Sequence, residues 1–438
     1  MARSLNWARP DATKSGHDNM IEMRRFWMVG LLLAGIARGP SATLVLTVSD
    51  DAGAASRCSA PVSAAVDLAG FPGGVAHANQ LRLVVLGGAS AGQVAEVPAQ
   101  FEPEATGSTK GTLRWLMPAG PAGQRQFTLK ADKGQDPPLM RAKRNEATGQ
   151  YELSEGGKPV LRYNYQTNDP GEVLAKVKPD DRKYTRARSD YIHPLYGLEG
   201  QELTRDWPLE HPHHRGIYWA WPEVDYRGER GDLHALQRVF SRPTGNCIVK
   251  DGPVCAVIDA ENLWRWEDQE PIVLERTLIR AWRAGSSGRY IDLEFHFTAL
   301  KEDVALARRG TTAYGGLNIR LAPVQEQEIT FHTDPVGTQP RGAWAALSGV
   351  FGSGMKASLA VLQSPTNPDY PGDWIKYPEL NWFQPTFPAG GTRYVVKPGQ
   401  PLLLRFRLWI CRGKADDARL ADSWKAYASP PMARLSRQ

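Results

Sequence analysis

Apolar and polar residues alternate along most of this chain in runs of five to ten, and the runs are broken by Gly, Pro, Asn and Asp. TLVLTVSD, QLRLVVLGG, VAEVPAQFEP, GTLRWLMPA and RQFTLKAD follow that pattern between residues 43 and 140 and predict a small β-sandwich. The Pro- and charge-rich stretch DKGQDPPLMRAKRN reads as a linker. Strand signals resume at Tyr151 and run to PLLLRFRLWICRG. In RYIDLEFHFTAL the period of two sets Ile291, Leu293, Phe295 and Phe297 on one face, and Tyr290, Asp292, Glu294 and His296 on the other. So long a run of strands exceeds a small immunoglobulin-like unit, and a large two-sheet sandwich over residues 145–412 accommodates it. Only ADDARLADSWKAYA has a helical period, with Leu420, Trp424 and Tyr427 on one side, so residues 413–438 are read as a helix and tail. The expected class is all-β, a large sandwich preceded by a small one.

Composition strengthens that reading, because 42 Gly and 33 Pro among 438 residues interrupt helices far more than turn-linked strands. Residues 1–42 stand apart. Arg24 and Arg25 precede a short apolar run over residues 26–37, with small residues at Ala37 and Ala42, the layout of a cleavable signal peptide. The run is too short to span a bilayer. The expectation is export to the periplasm or beyond, cleavage between residues 37 and 42, and no membrane attachment afterwards.

This leader holds six Lys/Arg against three Asp/Glu, so half of the formal charge of +6 leaves with it. The remainder has no basic run interleaved with aromatics, which speaks against nucleic acid as a partner. Cys247 and Cys255 flank Asp251 symmetrically, as facing positions of a hairpin would, and either a disulfide or two neighbouring thiols fit; Cys58 and Cys411 show no pattern.

Chemistry-bearing residues concentrate between Tyr191 and Asp232, where four of the nine His lie. In an extended segment His211 and His213 would share a side with Arg215, and His214 would face away. Three readings stay open. His211 and His213, joined by His193 or Asp225, could ligate a divalent metal. Alternatively, His193, His211, His213 and His214 could serve as acid and base near neutral pH, with Arg215 as a fixed cation. The third reading is a structural His/Arg network. Alternation pairs Trp219 with Trp221 and Trp264 with Trp266, and the first pair is expected to stack on sugar rings while the second packs in the core. The segment GDWIKYPELNWFQP, with Asp373, Lys376, Tyr377, Glu379, Asn381, Trp382 and Gln384, reads either as a plain solvated loop or as a loop at the mouth of the sandwich, in which case Lys376, Glu379 and Asn381, together with Asp225, are expected to touch a ligand. Glu294 and His296 either extend a pocket or satisfy each other. Gly88-Ala89-Ser90-Ala91-Gly92 matches the string of a nucleophile elbow but runs into a strand rather than a helix, so it is read as a turn. Walker, GxGxxG-before-helix and CxxC motifs are missing from the sequence, so no nucleotide cofactor is expected.

The strings HPLY and DWPLEHPHHRG, within residues 188–221, resemble the secreted bacterial proteins labelled the PmoA or "methane oxygenase PmoA" family, and the resemblance extends over residues 145–412. Particulate methane oxygenase subunits are membrane-embedded, so the resemblance implies a soluble family sharing a name rather than methane oxidation. His193, His211, His213, His214 and Arg215 match the family's motif. The C-terminal PGQPLLLRFRLW also resembles the galactose-mutarotase-like supersandwich, which implies acid/base chemistry on a sugar by a lyase, hydrolase or isomerase. The functional expectation is a secreted carbohydrate-active or carbohydrate-binding protein. A non-catalytic glycan-binding module and a metal-dependent oxidoreductase or hydrolase are its rivals.

Overall fold

A computed structural model describes residues 43–51, 53–71, 81–86, 96–118, 120–131, 139–332, 341–352 and 354–437. The signal segment, the Gly88–Gly92 turn and linker residues 132–138 lie outside the described residues. Among the described residues the fold is all-β, built from four antiparallel sheets.

The N-terminal sheet has seven strands in the spatial order Pro61–Asp67, Lys110–Leu116, Glu96–Pro103, Leu81–Val85, Gly123–Ala131, Leu44–Asp50 and Met432–Arg437. Its core residues, among them Leu46, Val62, Leu83, Trp115 and Phe127, come mainly from this one sheet and the short helix Ala54–Cys58, with Leu68, Phe71 and Met117 of its connections and Ala426 of the helix Asp417–Ala428 added. The sheet therefore curls around its own core. Residues 432–437, expected as a tail, instead form its edge strand, with Leu44 opposite Arg437 and Ser49 opposite Met432. The apolar strand Leu44–Asp50 and a polar C-terminal segment without a local strand signal thus satisfy each other's backbone groups.

The main body pairs two eight-stranded sheets. The first runs Trp374–Tyr377, Trp382–Pro385, Gly316–Arg320, Ile217–Ala220, Tyr191–Leu195, Lys158–Asn164, Gln150–Glu155 and Met140–Asn145. The second runs Val239–Lys250, Cys255–Trp266, Glu270–Trp282, Arg289–Ala299, Leu402–Arg412, Lys356–Gln363, Trp344–Val350 and Gln325–His332. Ile291, Leu293, Phe295 and Phe297 enter the shared core as alternation requires. On the opposite face Asp292 takes Arg407, while Glu294 takes both His296, at 2.7 Å, and Arg405. Tyr290 is buried as well, because the helix Asp417–Ala428 covers that end of the outer face and Ser423 Oγ meets Tyr290 OH at 3.0 Å. Leu420 and Trp424 of this helix pack there against Trp282, Tyr290 and Trp409. A four-stranded sheet, Glu229–Gly231, Glu223–Tyr226, Val304–Ala307 and Tyr394–Val396, flanks the body.

Two expectations fail inside the core. Trp219 and Trp221 do not line a surface. Their rings stack at 4.5 Å, and Trp219 meets Phe295 and Phe297 edge-on, so both are core residues, with Trp264 and Trp266 alongside. The second sheet's phenylalanines decide this, since they bury whichever face of Ile217–Ala220 points at them. Cys247 and Cys255 do not face each other. The strand register sets Cys247 opposite Ala260 and Lys250 opposite Val257, so the hairpin turns after Asp251 and all four cysteines are free thiols.

Candidate functional site

Inward-facing Ile192, Ile217, Trp219, Leu317, Ile319 and Phe383 of the first large sheet fill the core. The pleat therefore turns Tyr191, Tyr218, Asn318, Arg320, Trp382 and Gln384 to the outer face. Tyr218 lies opposite Asn318, and the pairing of Ile319 with Phe383 and Arg320 with Trp382 brings Gln384 level with Asn318. Gly316 bridges Thr386 beyond them. The side chains of this outer face are buried rather than solvated: Asn318 and Gln384 are 0% exposed, Arg320 1% and Trp382 3%. Even so, both amide atoms of Asn318, both of Gln384, Thr386 Oγ1, Trp382 Nε1, and Nε and Nη1 of Arg320 have no hydrogen-bond partner, eight atoms in one neighbourhood.

The connection between residues 204 and 217 delivers the histidines. It is not extended. His211 N donates to Pro208 O at 3.0 Å and His214 N to His211 O at 2.9 Å, so the chain turns twice through residues 208–214. Alternation is lost there, and His214 joins His211 and His213 instead of facing away. One ligand nitrogen from each of the three rings lies within 4.8 Å of the others. His211 stacks on His214 at 5.0 Å, and His213 stands edge-on to His214 at 4.7 Å. His234 completes the group from a separate loop, 4.6 Å from His213 and 5.2 Å from His214, with Nδ1 at 3.0 Å from Tyr218 OH. Arg188 Nη2 donates to the His234 carbonyl at 2.8 Å and holds that loop. Trp382 stands against His214 at 4.9 Å, and Tyr314 and Tyr377 pack on Trp382 at 5.7 and 4.9 Å. The imidazoles and the polar face are thus one continuous site, joined through Tyr218 and Trp382.

Burial, then the charges of neighbouring His and Arg, pushes His213 down to about 3 and holds His214 and His234 well below the usual imidazole range. His211 is lowered too, by burial and then by Arg320. All four are neutral at pH 7 and keep free lone pairs. Arg309 is matched by Asp232 at 2.7 Å and Arg320 by Glu210 at 2.6 Å, whereas Arg188 meets backbone carbonyls of Leu233 and His234. The site carries a net positive field. Chemically it offers neutral hydrogen-bond acceptors, nitrogen ligands for a borderline divalent ion, mixed donors and acceptors, and an aromatic wall.

The remaining sequence candidates lie elsewhere. Arg215 does not point with His211 and His213: Nε and Nη2 bind Asp206, Nη2 also reaches Tyr191 OH, and the guanidinium covers the Trp207 ring at 3.5 Å, which leaves Nη1 alone unpartnered. His193 is held by Thr204 Oγ1 at 3.0 Å, outside the triad. Asp225 joins Arg230 at 2.7 Å and Arg393 at 2.9 Å. Lys376 lies over the Phe331 ring, Asn381 Oδ1 accepts from Gln327, and Glu379 sits in the short turn Pro378–Leu380. From that segment it is Trp382, Gln384 and Tyr377 that reach the site. Sequence reasoning missed His234, two residues beyond the segment it searched. It also missed Asn318 and Arg320, although alternation against Leu317 and Ile319 in GGLNIRLAP carried their signal.

A family profile matches residues 150–425, which include every strand of both large sheets except Met140–Asn145 and every site residue named above. The chain belongs to the family of unknown function DUF6807. That description carries no activity and no PmoA label. A search of curated proteins found no match. Among solved structures, a glycosyl hydrolase family 38 protein from Enterococcus faecalis superposes with a TM-score of 0.42 at 9% identity, over 91% of this chain and 48% of that one. A polysaccharide lyase superposes with a TM-score of 0.28 at 12% identity, over 64% of this chain and 33% of that one. The chain spans about half the length of the first and a third of the second, and at these scores neither bears on the site.

Proposed function

We propose that this chain is an exported protein that binds a small, hydroxyl-rich ligand of the carbohydrate class on the outer face of the first large sheet, beside a group of neutral histidines. One observation carries the reading: the eight unpartnered polar atoms of Asn318, Arg320, Trp382, Gln384 and Thr386. Each buried, unpaired polar group costs about 1–3 kcal/mol, so a fold that gathers eight of them has something to pair them with. A sugar presents donors and acceptors on successive carbons, which suits two amides and a hydroxyl side by side. Trp382, Tyr314 and Tyr377 supply an apolar wall for its C–H faces. Arg188 and the free Nε and Nη1 of Arg320 favour members of the class that bear a carboxylate.

Calorimetric titration with matched neutral sugars and uronic acids, as mono- and oligosaccharides, tests this. The uronic acid of a pair should bind more tightly, and Asn318→Ala or Gln384→Ala should weaken it roughly ten-fold or more, since each removes hydrogen bonds to a buried ligand. If neither sugars nor uronates bind the wild-type chain, or if both variants bind as the wild type does, water alone satisfies these groups and the reading is wrong.

A further inference from the structure

Three imidazoles from one short turn, His211, His213 and His214, place a ligand nitrogen each within 4.8 Å of the other two. Around a tetrahedral zinc ion, with Zn–N near 2.0–2.1 Å, neighbouring nitrogens sit about 3.3 Å apart. Side-chain torsions of about 1 Å per ring close that difference, and His211, partly exposed on the turn that begins at Pro208, is free to make its share. A second observation is independent of this spacing. Nδ1 of His213 and Nδ1 of His214 are both buried and without any hydrogen-bond partner. Imidazoles packed for structure alone normally hand one ring nitrogen to a carbonyl or hydroxyl, as His193 does to Thr204 and His234 to Tyr218.

We infer that His211, His213 and His214 form a three-imidazole site for a borderline divalent cation, with zinc the reference ion and copper(II) and nickel(II) fitting the same donors. The donor set excludes hard cations. Calcium and magnesium require oxygen ligands, and two carboxylates around the triad are committed elsewhere, Asp232 to Arg309 and Glu210 to Arg205 and Arg320. Three protein ligands leave a coordination position for an exogenous group, the arrangement of reactive rather than purely structural sites. The positive field of Arg188, Arg309 and Arg320 opposes a bare dication, so the ion enters with an anion, such as solvent hydroxide or chloride, in the remaining position. His234 stands behind the triad, and its bond to Tyr218 holds its ring against His213. None of this depends on what ligand the polar face takes.

The test uses the tag-free full chain, stripped with a chelator and titrated separately with zinc, copper(II), calcium and magnesium. One zinc per chain is expected, and the electron paramagnetic resonance spectrum of the copper(II) form should show coupling to imidazole nitrogens. Outer-shell changes already cost 10–100-fold in metal affinity, so His211→Ala, which removes a ligand, should weaken zinc about 100-fold or more. His193→Ala, outside the triad, should bind zinc as the wild type does. Far-UV circular dichroism checks that each variant folds, and if His211→Ala does not, the wild-type copper spectrum decides alone. Absence of zinc binding by the wild type, an oxygen-only copper spectrum, unchanged affinity in folded His211→Ala, or an equal loss in His193→Ala overturns the inference. Sugar titrations of the stripped chain are scored separately, so failure of one proposal leaves the other standing.

Discussion

Arg215 separates a site residue from a structural one most sharply, and its replacement has a calculable cost. Its side chain is 1% exposed and that of Asp206 12%. In Arg215→Met the Asp206 carboxylate keeps the Tyr191 hydroxyl and the Trp207 amide, both at 3.1 Å, but loses its cation. Removing one partner of a buried pair costs about 3–5 kcal/mol, most of it the penalty of the charge left behind. The lost stacking on Trp207 adds about 0.5–2 kcal/mol. Against a total stability of about 5–15 kcal/mol, the variant should still fold when cold but unfold at a much lower urea concentration. Adding Asp206→Asn removes the stranded charge and should recover part of the loss, whereas two independent sites would show additive losses. Urea titrations followed by circular dichroism measure all four proteins of the cycle, and ligand and zinc titrations are run on the folded single variant. A loss below about 1 kcal/mol accompanied by loss of ligand binding would show that Arg215 faces the ligand, and the ion-pair argument would fail.

Two further outcomes follow from the core. Burial raises the carboxyls of Asp190 and Glu275, which share a fully enclosed site with Tyr163, Ser241 and Trp264. Their folded pKa values lie above the unfolded ones, so the stability they contribute is complete below the ordinary carboxylate range and is lost as pH rises towards the folded values. Glu275→Gln should therefore lose less stability than the wild type as pH rises above the ordinary carboxylate range, and parallel melting-temperature profiles would refute the raised Glu275 carboxyl. Trp219→Ala should cost about 3–5 kcal/mol, because it opens a cavity beside Trp221, Phe295 and Phe297, yet leave ligand affinity in the folded protein unchanged. A stable variant with weakened sugar binding would return Trp219 to the ligand surface.

Alternation along single strands made much of the fold legible. Ile291, Leu293, Phe295 and Phe297 read as a buried face and are one, and the Leu420 and Trp424 period marked the terminal helix. The crowding of His211, His213 and His214 was also visible, because neighbours in sequence stay neighbours in space. Alternation defines two faces of a strand, however, without saying which of them is buried. That choice belonged to the opposing sheet, whose Phe295 and Phe297 drew Trp219 inward and left Tyr218, with Asn318 and Gln384 from distant strands, to build the site. Nor does a period of two survive a turn, so the bonds from His211 N to Pro208 O and from His214 N to His211 O reversed the expected roles of His214 and Arg215. His234 and Trp382 come from separate segments, and the pairing of Leu44 with Arg437 joins the two ends of the described chain. Such long-range partners leave no local mark: their hydrogen bonds and ring contacts exist only after the sheets have set the register, so tertiary structure alone decided them.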